Sequence, residues 1–236
     1  MIEIKNLTKK YNEQTIAVNH LNMTIQDGDI YGFVGANGAG KSTTIKSIVG
    51  IHDFDDGEIF IEGKSILEDP VNCKKELAFV PDSPNLYDNL TGLQYINFIS
   101  NIYEVPLVIR RANIEKYGNL LNMTSKLNDL ISSYSHGMKQ RITLIAALVH
   151  EPKIFILDEP FVGLDPTATI QLRKIMSEHA KKGGIVFFSS HVLEVIEKLC
   201  NKVAIIHHGE LIKHGKTKDV LGDKNLEDIF MEVQND

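Results

Sequence analysis

At 236 residues the chain has room for one large domain, or a domain with a sizeable insert, around a substantial core. Hydrophobic residues at 43% and charged residues at 24% are ordinary for a soluble globular protein, and a net charge of −6 argues against a general nucleic-acid partner while leaving room for a local basic patch. No run approaches the ~20 apolar residues that a membrane span needs, and residues 1–5 enter a strand-like alternation with no secretory h-region.

The chain begins with β signals at residues 2–5, 15–18, 21–25 and 30–34, with Asp27-Gly28 as the turn before the last. Short strands leading into a strand–loop–helix predict an antiparallel sheet followed by an α/β core. Tyr11 is an aromatic of that first stretch, where packing is the ordinary role. Next, Gly35-Ala36-Asn37-Gly38-Ala39-Gly40-Lys41-Ser42-Thr43 fits G-x-x-x-x-G-K-[ST], the phosphate-binding loop of nucleoside triphosphatases. Glycines let backbone N–H groups close around phosphate oxygens, and the helix that Lys41 starts points its positive end at the same anion. Lys41 can reach the β- and γ-phosphates, and Ser42 can offer a hydroxyl to Mg²⁺. A buried strand before the loop, and Ile45, Ile48 and Val49 at helical spacing after it, supply the context that the motif requires. The chain is expected to bind a nucleoside triphosphate.

Residues 57–63 and 77–80 read as further short strands, the second ended by Pro81. From Ser83 to Val149 the pattern is helical: Thr91-Gly92-Leu93-Gln94 is a capping box opening a helix to about Tyr103, and residues 108–123 and 137–149 are the next two. After Pro152 the α/β pattern returns. It predicts strand 154–157, a helix opened by Asp165-Pro166 and running to about Lys182, strand 185–188, helix 192–199 and strand 203–207. Gly209 then turns into Leu211-Ile212, and residues 226–233 form a short amphipathic helix. Cys73 and Cys200 are isolated, as reduced cysteines of a cytosolic protein would be.

The apolar strand 154–157 ends in Asp158-Glu159. A carboxylate there, beside a phosphate loop, can hold Mg²⁺ directly or through water, and Glu159 is placed to polarise a water for attack on the γ-phosphate. Two acids after a strand are weak evidence alone, since helix N-termini favour acids. After a phosphate loop they read as the second half of a hydrolytic site.

With these residues the chain resembles, over essentially its whole length, the nucleotide-binding subunit of ATP-binding-cassette (ABC) transporters, in particular the exporter-like ABC-2 type. Its most specific mark is Tyr134-Ser135-His136-Gly137-Met138-Lys139-Gln140-Arg141, which is similar to the family's Leu-Ser-Gly-Gly-Gln signature. Physically, Ser135 as an N-cap and Gly137 allowing close backbone approach make an anion site at a helix start. The resemblance implies that this segment caps a γ-phosphate held on the phosphate loop of a second subunit. It also implies that Asp165, in the D-loop Gly163-Leu164-Asp165, bridges the two sites, that His191 is the switch histidine at the γ-phosphate, and that Tyr11 stacks on adenine. Two residues depart from the family pattern. Asp82 stands where a Gln is usual; it is shorter, adds a charge and lacks the amide donor, so it is expected to line the site with weaker metal coupling. His136 replaces the first signature glycine, which is not read as inactivating. His207, His208 and His214 match nothing and are expected at the surface.

The fold implied is α/β: a P-loop NTPase (RecA-like) core, residues 1–82 and 151–236, with an N-terminal antiparallel β subdomain and an inserted α-helical subdomain, residues 83–150, in one ABC ATPase domain. The function implied is ATP hydrolysis, with Mg²⁺, by a nucleotide-sandwich homodimer that drives transport, in the export direction, through separate transmembrane permease subunits. The chain would then sit on the inner face of the cell membrane and bind no nucleic acid. A soluble ABC ATPase that moves no solute is the alternative. A guanine-reading enzyme is disfavoured, because Asn201-Lys202-Val203-Ala204 lacks the Asp of Asn-Lys-x-Asp.

Overall fold

The computed structural model describes residues 1–12 and 14–235. β1 (Ile2–Asn12) and β2 (Thr15–Ile25) form an antiparallel hairpin that pairs Ile2 with Ile25, Ile4 with Met23 and Leu7 with Leu21. The sequence pattern ended the first strand at Lys5 and split the second; both instead run on through bulges. Asn6 and His20 adopt left-handed φ angles of 51° and 47°, and the His20 N–H donates to Thr8 Oγ1 at 3.2 Å. The hairpin therefore stays joined where its ladder shifts register.

β3 (Ile30–Val34) leads through the phosphate-loop motif into α1 (Lys41–Ile48), followed by β4 (Asp56–Ile61), the two-residue β5 (Lys64–Ser65), α2 (Pro70–Lys75) and β6 (Leu77–Val80). β4 pairs with the free edge of β1, giving a four-stranded sheet in the order β2-β1-β4-β5. The helical insert consists of α3 (Gly92–Ile102), α4 (Leu107–Leu120), two 3₁₀ turns and α5 (His136–Leu148). The expected capping box opens α3: Thr91 Oγ1 accepts from Gln94 N at 3.2 Å, and Gln94 Oε1 accepts from Thr91 N at 2.8 Å. Next come β7 (Ile154–Leu157), α6 (Pro166–Lys181), β8 (Ile185–Ser189), α7 (Leu193–Leu199), β9 (Lys202–His207), β10 (Glu210–Lys216), α8 (Thr217–Leu221) and α9 (Leu226–Asn235). The pattern gave no sign of β5, α2 or α8, which are too short to carry a period.

The second sheet runs β10-β9-β3-β8-β7-β6, parallel except for β10. Its parallel strands are buried on both faces, whereas the edge strand β10 is largely exposed, and the period of two in the buried strands sorts side chains into two cores. Val34, Phe155, Leu157, Val186 and Phe188 pack toward the helices α5, α6 and α9. Tyr31, Phe33, Ile154, Ile156 and Phe187 pack toward α1 and the antiparallel sheet. The helical insert thus shares one continuous core with the parallel sheet. From β3 the chain runs out to the β6 edge and returns through β7 to β8, then crosses to β9 on the other side of β3, so the connections diverge to opposite sides of that strand, and the crevice beyond its C-terminal end is where such sheets bind ligands.

His150 stacks on Tyr103 beneath this insert, with ring centroids 3.7 Å apart and planes 14° from parallel. Burial lowers its pKa from the usual 6.5 to about 4. Because the folded value is depressed, the unfolded chain binds the extra proton between pH 6.5 and 4, and folding stability falls as pH drops through that window. The loss attributable to this residue is on the order of 3 kcal/mol. His150→Phe keeps the stack and is expected to flatten the decline of Tm between pH 6.5 and 4; an unchanged slope would place the acid sensitivity elsewhere. Of the three unassigned histidines, His208 and His214 are exposed, whereas His207 is half-buried against the His208 ring.

Candidate functional site

Gly35 and Gly40 are glycines for packing reasons. A Cβ at Gly35 would stand 2.6 Å from the Ile206 carbonyl oxygen, and one at Gly40, where φ is 107°, would overlap the Ala17 carbonyl. The loop is therefore pressed onto β9 and β2, while Gly38 faces open space and Ala39 is buried. Lys41 is 6% exposed and closes the loop on itself, donating to the carbonyls of Gly35 at 2.7 Å and Ala36 at 3.1 Å. Burial draws its pKa down, and the nearby charges of Glu159 and Asp158 oppose that shift.

Those two acids end β7. Asp158 is fully buried and accepts from Ser189 Oγ at 2.5 Å, and the same hydroxyl accepts from the Glu159 N–H at 3.0 Å. One serine at the end of the neighbouring strand β8 thereby fixes both acids. Glu159, with φ of 46°, turns its carboxylate outward to His191. Glu159 Oε2 accepts from the His191 N–H at 3.2 Å and lies 2.8 Å from Nδ1. An ionised carboxylate only accepts, so Nδ1 carries the proton and Nε2 is left to face the cleft or solvent.

The cleft beside them has a volume of about 450 Å³ and is lined by Gly35, Ala36, Asn37, Asp82, Glu159 and His191, with His136 at its rim and Phe230 and Gln234 of α9 on one wall. Through Ala36, Asn37, Asp82 and Glu159 it continues into a groove of about 390 Å³ bordered by Gly38, Gly40, Lys41, Ser42, Thr43, Thr15, Ile16 and Tyr11. At that end Tyr11 is 55% exposed and is held by a 3.2 Å hydrogen bond between its hydroxyl and Thr43 Oγ1 and by edge contact with His52. The continuous cleft therefore has an aromatic platform at one end, a phosphate cradle in the middle and a Glu–His pair at the other.

Asp82 is exposed on the cleft wall, where Oδ1 accepts from the Ser83 N–H at 2.8 Å. Ser42 is exposed at the start of α1. Among the described residues no three His, Cys, Asp or Glu side chains converge as a metal cage. That donor set (one hydroxyl and one or two carboxylates) suits Mg²⁺, which keeps waters and takes phosphate oxygens rather than an all-protein shell.

Ser135 caps α5 as expected, accepting from the Met138 N–H at 3.3 Å. Neither it nor Gly137 lines the cleft of its own chain. Asp165 does not line it either: one carboxylate oxygen accepts from Ala168 N at 2.9 Å as the cap of α6, and the other pairs with Arg141. That ring of donors holds its pKa below the usual carboxylate value, the Ala168 N–H foremost and the Arg141 charge next. Asn201 and Lys202 are spent on structure at the far end of β3, where Asn201 Oδ1 accepts from Ile30 N at 2.8 Å and Lys202 pairs with Asp29 at 2.9 Å. Sequence reasoning missed Ser189, although it stands two residues before His191, and missed the two α9 residues, which share no motif with the site.

The sequence profile of the ABC transporter family matches residues 18–162. The chain belongs to the ABC transporter family. The bacitracin transport ATP-binding protein BcrA of Bacillus licheniformis is 34% identical over 248 residues, covering 100% of this chain and 80% of that protein. A solved structure described as an ATP binding subunit of an ABC transporter superposes with a TM-score of 0.95 at 28% identity, covering 99% of each chain. The post-hydrolysis dimer of the ATP-binding cassette MJ0796, bound to ADP and Pi, shares the fold with a TM-score of 0.83 at 23% identity, covering 92% of this chain and 99% of that one. The protein is thus the ATP-binding, ATP-hydrolysing subunit of an ABC transporter, with the α/β fold, antiparallel sheet and helical insert that its sequence implied.

Proposed function

We propose that two copies of this cassette close around two ATP molecules and drive export through separate membrane-spanning permease subunits. The observation that carries this reading is the Glu159–His191 pair, set across the cleft from the Lys41 loop, while the capped Ser135-His136-Gly137 turn leaves the interior of that cleft free. In this arrangement Lys41 and the 35–40 loop hold the β- and γ-phosphates, and Tyr11 stacks on the adenine. Glu159 accepts hydrogen bonding from the attacking water, and His191 steadies that carboxylate and reaches the γ-phosphate. The second copy supplies Ser135 and Gly137 to the other side of the phosphate. Ser42 and Asp158, with Asp82 nearby, are the residues that would hold Mg²⁺, which when bound neutralises charge on the β- and γ-phosphates.

No helix among the described residues is long and apolar enough to cross a membrane, which supports a permease on other chains and a peripheral seat on the inner face of the cell membrane. Export is supported by the resemblance to exporter-like cassettes and by a relative named for bacitracin transport. The test is to tag the chain, solubilise native membranes in mild detergent and identify what copurifies. A polytopic membrane protein near one-to-one stoichiometry is expected, with ATPase activity in the same fraction. Soluble partners alone would turn the assignment toward a cassette that moves no solute.

A further inference from the structure

We propose that residues 50–55, which join α1 to β4, form a strap that sets the Tyr11 ring at the end of the nucleotide cleft, with His52 and Asp55 as its positioning residues. The strap rests on the reading of Tyr11 as the adenine platform and deepens it, by fixing how far that platform stands from the phosphate loop.

The outer end of β1 loses strand support just where Tyr11 stands. Its pairing with β4 ends at Thr8, opposite Asp56, and its register with β2 shifts three times between Leu7 and Asn12. The Tyr11 ring is too exposed for core packing to fix its position.

The strap supplies what the ladder lacks. At the end of α1 the chain folds back on the helix: the Gly50 N–H donates to Ser47 O at 3.1 Å, and the Ile51 and His52 N–H groups donate to Lys46 O at 2.8 and 3.1 Å. Gly50 makes this reversal with φ of 66°, a left-handed angle that favours glycine. His52 is thereby brought against Tyr11, with ring centroids 6.2 Å apart and planes 88° from parallel, an arrangement that aromatic rings prefer. Phe54 packs against the core shared by α1 and the antiparallel sheet. Asp55 then grips β1 on both sides of Lys9. Its N–H donates to Thr8 O at 2.9 Å, and its carboxylate accepts from the Lys10 N–H at 2.6 Å, one residue before Tyr11.

The Tyr11 hydroxyl meets Thr43 Oγ1 in the first turn of α1, and the Tyr11 ring meets His52, which is fastened to the last turn. These contacts hang from the helix that opens out of the phosphate loop, so ring and loop keep a set separation. His52 is half-buried and Asp55 exposed, so replacing them separates positioning from folding.

The experiment measures, on the full chain, the Kd for β,γ-imido-ATP, which carries the base and resists hydrolysis, and for inorganic tripolyphosphate, which lacks the base. Tyr11→Ala is expected to weaken the analogue about tenfold, the loss of one base stack, and to leave tripolyphosphate unchanged. His52→Ala and Asp55→Ala should each weaken the analogue about threefold, again with tripolyphosphate unchanged. His52→Phe, which keeps an aromatic edge, and Asp55→Asn, which keeps an acceptor for the Lys10 N–H, should recover most of that loss. Tyr11→Ala combined with His52→Ala should be no worse than Tyr11→Ala alone. If Tyr11→Ala binds the analogue as the parent does, the adenine-platform reading falls. If Tyr11→Ala weakens it but the two strap variants do not, or if they weaken tripolyphosphate equally or add to Tyr11→Ala, the strap alone is overturned.

Discussion

Glu159→Gln is expected to lower kcat by about 10²–10⁴-fold, the range lost with a general base, while leaving ATP affinity intact. The substitution is nearly isosteric, and an amide oxygen can still accept from the His191 N–H that the carboxylate accepts from at 3.2 Å. What disappears is the anion that polarises water. The backbone hydrogen bond from Glu159 N to Ser189 Oγ is unaffected, so Asp158 keeps its position and the phosphate loop its shape. ATP should then persist in the cleft, and the variant should accumulate as a nucleotide-bound species that wild-type protein forms only transiently. Steady-state phosphate release and single-turnover ATP binding check the two halves separately. A rate within tenfold of wild type would remove Glu159 from the chemistry and leave His191 or Asp82 to be tested in its place.

How far such a site can be read in advance depends on whether its parts are contiguous in the chain. The phosphate loop could be read whole, because its glycines, lysine and hydroxyl fall within nine consecutive residues between a strand and a helix. Glu159 was placed by its position at the end of an apolar strand in a chain with a phosphate loop, and His191 by resemblance, but their pairing was not, because it depends on β7 and β8 being neighbours in the sheet. Ser189 shows the limit more sharply. Its role comes from standing at the end of β8 level with Asp158, and no local pattern marks a serine for that register. The long hairpin strands were cut short for a related reason: bulges at Asn6 and His20 break the period-two signal without breaking the pairing. Phe230 and Gln234 reached the cleft wall through tertiary packing of α9, whose amphipathic pattern announced a helix but not what it would cover.

Lys41→Ala is expected to weaken ATP binding by roughly 10²–10³-fold, the loss of one or two charge-assisted hydrogen bonds. The direction follows from the charges around the cleft. Asp158, Glu159 and Asp82 are all acids at or beneath its surface, and Lys41 is the cation placed among them, 6% exposed and bonded to the Gly35 and Ala36 carbonyls. Without it a polyanionic ligand would meet carboxylates and backbone dipoles alone. The fold should survive: the desolvation that depresses the lysine pKa is relieved by the substitution, which offsets part of what the two freed carbonyls cost. A ligand-dependent readout separates the two effects. Wild-type Tm should rise with ATP concentration, since a ligand that binds only the folded state stabilises it by RT ln(1 + [L]/Kd). In Lys41→Ala the Tm without nucleotide should stay near the wild-type value, and the ATP-dependent rise should vanish at the same concentrations. A variant that keeps the rise would show that the loop's N–H groups and the α1 dipole suffice to hold the phosphates, and would move Lys41 from binding to the chemical step.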